Sequence, residues 1–190
     1  MKRITVSCLA GLWLTGAVLA GPAQIMDFSS NGLTVVDPKL CSNVEVRQLH
    51  LSNNRLSSLP AELARMPKLR VLWVSKNQLG SLPDSFAAFT ELQDLDLAEN
   101  HFSQIPVALT KMAGLKNLSL RQNLLSKFPQ ELAELPKLEV LNLGHNGISQ
   151  LPQPFTGFRQ LKVLDLHGTA VSNEAIQELR RQRPNLDIVQ

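Results

Sequence analysis

One interval governs this chain. Asparagines stand at Asn31, Asn54, Asn77, Asn100, Asn123 and Asn146, each 23 residues after the last, and Pro60, Pro83, Pro106, Pro129 and Pro152 keep the same step. A recurrence of this length marks a repeat architecture, in which each unit packs mainly on its two neighbours. It excludes a core assembled from unrelated helices and strands. Leucine fills the places between: Leu115, Leu118, Leu120, Asn123, Leu125, Phe128 and Pro129 are followed by Leu132 and Leu135.

The pattern resembles the leucine-rich repeat of the 23-residue type, LxxLxLxxNxLxxLPxxLxxL, over roughly residues 23–188. Its seven units open at Ala23, Val46, Leu69, Leu92, Leu115, Leu138 and Leu161. The resemblance implies an α/β leucine-rich repeat solenoid, or horseshoe. A parallel sheet would line the concave side, short helical or 3₁₀ segments the convex side, and a helix would close the C-terminal end. The first unit keeps the register with Met26, Phe28, Asn31, Leu33 and Val36 but carries Asp37 in place of proline, as an N-terminal cap would. In the seventh, Thr169 replaces the asparagine and Ser172-Asn173 leads into an expected helix over Glu174–Arg183, with Ile176 and Leu179 on one face. Pro184 ends it, Leu186 and Ile188 add a last short strand, and residues 172–190 form the cap.

The physical logic of one unit is direct. Leu-x-Leu alternation sends the leucines inward and the residues between them outward on a short strand. Asparagine then turns the chain, its amide bonding the backbone of its own turn and the next coil. Leu63, Phe86, Leu109, Leu132 and Phe155 return to the same core from the other side. No unit buries its apolar edge alone, so the coils must stack.

Residues 1–20 read as a signal peptide. Met1-Lys2-Arg3 is a short positive start, Ile4 to Ala20 is an apolar stretch, and Val18-Leu19-Ala20 precedes Gly21 as a small-residue cleavage site. The rival is a retained anchor, since 17 residues lie at the lower limit for a membrane span. The chain thus divides into a leader, 1–20, and one domain, 21–190, exported to the periplasm or secreted. Without the leader, 17 basic residues face 16 acidic ones, which provides no electrostatic footprint for nucleic acid or a membrane surface. Cys8 leaves with it, and Cys41 alone forms no intramolecular disulfide. Cysteine-clustered caps are missing, which points to a bacterial source.

Function in a repeat protein is read from positions the repeat does not explain. All seven phenylalanines fall on core positions, whereas Trp73 occupies an outward strand position. The outward central column reads Asp27, His50, Trp73, Asp96, Ser119, Asn142 and Asp165. Beside it run Gln48, Val71, Asp94, Asn117, Val140 and Val163, and on the other side Ser52, Ser75, Ala98, Arg121, Gly144 and His167. The expected partner-binding set is His50, Trp73, Ser75, Asp94, Asp96, Ser119, Arg121 and Asn142, because tryptophan and arginine recur as interface hot spots. The bland alternative has Trp73 packing on its strand neighbours. Seven strands about 4.8 Å apart and about five residues long make a face near 450 Å², below the roughly 800 Å² per partner of a standard interface. Such a face suits a peptide or small domain.

Catalysis finds no support. Asp94 and Asp96 point the same way, but no nucleophile or histidine recurs beside them, and His50, His101, His145 and His167 lack ligand spacing. Glycine-rich phosphate loops are missing, and no cofactor or metal is expected. The resemblance implies a monomeric, non-catalytic scaffold for a protein or peptide partner. Glycan or small-ligand recognition on the same face, with Trp73 stacking on a sugar, and a structural envelope role are the alternatives.

Overall fold

The computed structural model describes residues 3–5 and 24–190. Most of the expected leader, including Cys8 and Val18-Leu19-Ala20, lies outside the described residues. Nine three-residue strands form one open parallel sheet in chain order: β1 (Arg3–Thr5), β2 (Ile25–Asp27), β3 (Gln48–His50), β4 (Val71–Trp73), β5 (Asp94–Asp96), β6 (Asn117–Ser119), β7 (Val140–Asn142), β8 (Val163–Asp165) and β9 (Asp187–Val189). β1 belongs to the expected leader and pairs in parallel with β2. From β2 to β8 the register advances by one repeat per strand, so Asp27, His50, Trp73, Asp96, Ser119, Asn142 and Asp165 lie side by side. Three residues make the strands shorter than the five expected, with β2 to β8 each ending one residue before the second inward side chain.

On the return side stand 3₁₀ helices at Pro38–Ser42, Ala61–Arg65, Asp84–Ala88, Val107–Lys111 and Gln130–Glu134. The first is capped by Asp37, whose carboxylate accepts from the Lys39 backbone N–H at 2.9 Å. The sixth coil has none. Pro154 there disfavours helical backbone at Gln153, the residue aligned with Ala61. The cap helix answers the change, for Gln182 Oε1 accepts from the Phe155 N–H at 3.1 Å.

The core is a stack of equivalent side chains. The middle residue of each strand from Met26 to Ile188 is buried, and so are Leu51, Val74, Leu97, Leu120, Leu143 and Leu166 one step later. A buried asparagine ladder ties the coils together. The Asn100 amide donates to the carbonyls of Leu97 and Ala98 in its own turn and of Val74 in the previous coil, each at 3.1 Å. Its Oδ1 accepts from the Leu79 N–H at 2.9 Å. Asn54, Asn77, Asn123 and Asn146 repeat the scheme. Each would otherwise leave buried backbone groups unsatisfied, a cost of about 1–3 kcal/mol per group.

The residue before each asparagine has left-handed backbone: Ser30, Asn53, Lys76, Glu99, Gln122 and His145 have φ between 52° and 59°, and Gly168 continues the series. At the C-terminus α1 (Asn173–Gln182) starts at Ser172, whose hydroxyl accepts from the Ala175 N–H at 3.2 Å. Ile176 and Leu179 cover the last coil, and Leu186 and Ile188 complete the seal as expected.

Candidate functional site

The strand register gathers the outward residues into a shallow groove of about 240 Å³ across β4 to β7. Trp73, Asp94, Asp96, Asn117, Ser119, Val140 and Asn142 line it, above Leu95 and Leu118. Of the eight expected contact residues, Trp73, Asp94, Asp96, Ser119 and Asn142 meet there. Asn117 and Val140 belong to the expected neighbouring column and join the lining, although the contact set leaves them out.

Trp73 is 43% exposed, the most exposed aromatic among the described residues. One side of its indole is covered: the His50 ring lies 4.2 Å away between centroids, with 13° between the planes. The rest of the indole borders the groove. His50 itself is only 4% exposed, and its Nδ1 lies 3.8 Å from the carboxylate of Asp27. The expectation of His50 as a contact residue meets a buried ring. Its outward position is real, but Trp73 roofs it, so His50 orients the indole and does not offer a surface of its own.

Aspartate and asparagine in the central column have a local task as well. Asp96 accepts from the Ala98 N–H at 3.0 Å and Asn142 from the Gly144 N–H at 2.9 Å, each closing the turn after its strand. Asp27 and Asp165 do the same for Ser29 and His167. These side chains are thereby fixed at one oxygen, and the turn chemistry explains why Asx residues recur at the strand ends. Asp94 accepts from the amide of Asn117 on the next strand.

Ser75 and Arg121 stand outside the groove lining. The Ser75 hydroxyl donates to Ser52 Oγ at 3.0 Å, and Arg121 donates to the Gln122 side chain at 2.6 Å. Charge pairing is found mostly elsewhere: Lys68 with Glu45, Lys76 with Glu99 and Lys162 with Glu139 bridge adjacent coils, and Arg70 pairs with Glu91 at the two ends of one unit. The Lys162 ammonium holds the Glu139 carboxyl below the usual carboxylate range, chiefly by its hydrogen bond. Cys41 is buried, as its alignment with Ala64 and Ala87 suggests, and burial followed by the charges of Glu62 and Asp37 pushes its thiol up to about 11. Among the described residues no group of three or more His, Cys, Asp or Glu side chains could hold a metal ion, and no helix is long and apolar enough to cross a membrane.

Comparison with known proteins places this geometry. The plant peptide hormone receptor RGFR1 in complex with RGF2 is 28% identical with a TM-score of 0.68, over 87% of this chain and 27% of that one. An internalin from Listeria monocytogenes is 21% identical with a TM-score of 0.70, over 87% and 46%. A leucine-rich repeat protein of Leptospira interrogans is 22% identical, with a TM-score of 0.48 over 87% and 60%. The chain therefore spans less than two thirds of the length of each of these structures. A comparison with curated proteins found no match. The family model described as leucine rich repeat matches residues 44–102 and 113–171, more than half of the sequence, and with the asparagine ladder and the parallel sheet it places the chain in the leucine-rich repeat family.

Proposed function

We propose that this chain is a non-catalytic scaffold that recognises a protein or peptide through the concave sheet face, with Trp73 at the centre of the contact. Leucine-rich repeat proteins are in general protein-interaction scaffolds, and the similar plant receptor is a peptide hormone receptor in complex with RGF2. The observation that carries the reading is the half-exposed indole of Trp73. It is held flat by His50 at the edge of a groove, and it is the most exposed aromatic side chain among the described residues. A pre-oriented aromatic with little rotamer freedom left to lose is what an interface anchor requires. Residues 1–20 act as an export leader in this reading, delivering the domain to the periplasm or the exterior.

The test uses the chain as bait, in wild-type and Trp73→Ala/Asp96→Arg forms, against envelope and host extracts, with captured proteins quantified by mass spectrometry. Proteins retained by wild type and lost from the double variant, with melting unchanged, support the reading. Identical capture by both forms, or none by either, sinks the Trp73 contact and moves the search to the convex face, glycans or a structural role.

A further inference from the structure

Resting on that reading, we infer that the groove beside Trp73 takes a cationic side chain, an arginine or lysine of an extended peptide, between the indole and the carboxylates of Asp94 and Asp96. Three observations converge. First, neither Asp94 nor Asp96 has an ion-pair partner among the described residues, and the two face the same groove as the exposed indole. Both carboxylates line the groove uncompensated, one from each outward position of β5.

Second, the two carboxylates bring spare negatively charged acceptor capacity into the groove, beside the neutral donors of the Asn142 amide, the Ser119 hydroxyl and the Trp73 indole. The Asn117 amide is committed to Asp94, and the Asn142 oxygen to the Gly144 N–H. Asp94 and Asp96 each have one oxygen engaged and one remaining. Carboxylates accept only, so the best complement is a group that only donates: guanidinium with five N–H groups or ammonium with three.

Third, the exposed indole supplies the apolar and quadrupolar part of a cation site. A guanidinium or ammonium within about 6 Å of a tryptophan ring is attracted by its negative face. The methylenes of the same side chain would cover Val140 and the groove floor, which a small inorganic cation does not do. Arg121, the nearest basic residue on the third outward column, is directed to Gln122 and lies outside the lining, so it does not neutralise the pair.

The test uses the full chain carrying Trp13→Phe, which leaves Trp73 as its only tryptophan and its emission as a local reporter. The probes are three short peptides of Gly, Ser and Ala, identical except for a central arginine, lysine or citrulline. Citrulline keeps the shape of arginine without the charge. The expected result is binding of the arginine or lysine peptide at least about tenfold tighter than the citrulline peptide, weakened about three- to tenfold by Asp96→Asn or Asp94→Asn and by added salt. Equal response to citrulline and arginine overturns the inference, as does no response to any peptide. The charge and salt comparisons need no variant, so an unstable Asp96→Asn protein does not blunt them. If the peptides show no charge preference while extract capture still depends on Trp73, the cation inference falls and the concave-face reading stands. Failure of both removes the face itself.

Discussion

Position 114 has no room for a side chain: a Cβ on Gly114 would stand 2.2 Å from the carbonyl oxygen of Thr90 and 2.9 Å from that of Leu92. Both are backbone atoms, one from the end of the preceding unit and one from the residue that opens Gly114's own, and neither has a rotamer to retreat into. Gly114→Ala is expected to cost about 1–3 kcal/mol by forcing two coils apart. The reading is a lower urea midpoint at unchanged slope. Gly80→Ala serves as the comparison, since the nearest atom to its added Cβ lies 3.7 Å away, and it should shift stability by no more than about 0.5 kcal/mol. Matching midpoints for the two variants would show that the coils separate without penalty at Gly114.

Asn100 serves four backbone groups at once, and the predictions follow from their polarity. Asn100→Ala strands the Leu79 N–H and removes the amide from three carbonyls, for an expected loss of about 1–3 kcal/mol. Asn100→Asp should be no better, because a carboxylate has no proton for the carbonyls of Val74, Leu97 and Ala98. Chemical denaturation of both variants checks this, and an aspartate form as stable as wild type would contradict the donor role of the amide.

The left-handed residue before each asparagine yields a prediction of opposite sign. Gln122 has φ 52° with an ordinary side chain, a conformation that costs an L-residue about 1–2 kcal/mol. Gln122→Gly removes that strain but adds freedom to the unfolded chain, leaving a net gain of about 0.5 kcal/mol. Thermal melting should rise by about 1–2 °C, and a clear fall would mean that side-chain contacts outweigh the backbone term.

For Cys41 the pH dependence has a defined direction. The thiol sits near 11 in the folded chain and 9.0 when unfolded, so the unfolded state loses its proton first. The contribution is fully present below about pH 9 and is lost as pH rises from there toward 11. Cys41→Ala should flatten the alkaline part of a stability–pH curve. In the native protein, iodoacetamide should modify Cys41 slowly at neutral pH and rapidly in denaturant.

Ser172 begins the terminal helix, and Ser172→Ala is expected to cost about 1 kcal/mol through loss of the bond to the Ala175 N–H. Because Ile176 and Leu179 cover the open end of the core, fraying there should expose apolar surface, read as dye binding at temperatures below the main melt.

What could be read from the sequence was what every unit shares. The repeated spacing predicts the strands, the asparagine turns and the core phenylalanines, since each is a repeated side chain with a repeated job, and the cap helix at Ser172 is legible as the place where the repeat breaks off. The left-handed column escapes such reading: Ser, Asn, Lys, Glu, Gln, His and Gly occupy it in turn, so a backbone rule leaves no side-chain trace. Alternation puts His50 and Trp73 on the same face but is silent on whether one ring covers the other, and that stacking is what buried the histidine. The absent sixth 3₁₀ helix has its cause in Pro154, a residue outside the 23-residue step that Pro152 keeps.

Because each strand from β2 to β8 pairs with the next at the same register, distances along the concave face come in whole steps. Trp73 and Asp96 are one step apart, and Trp73 and Asn142 are three. Inserting a complete unit between β4 and β5 would move the indole from the carboxylates by one strand spacing, about 4.8 Å, while leaving every hydrogen bond of the ladder a counterpart. Deleting part of a unit would not. Spacing between contact residues in this molecule is therefore quantised, and a change of partner can be reached by counting units as well as by exchanging side chains.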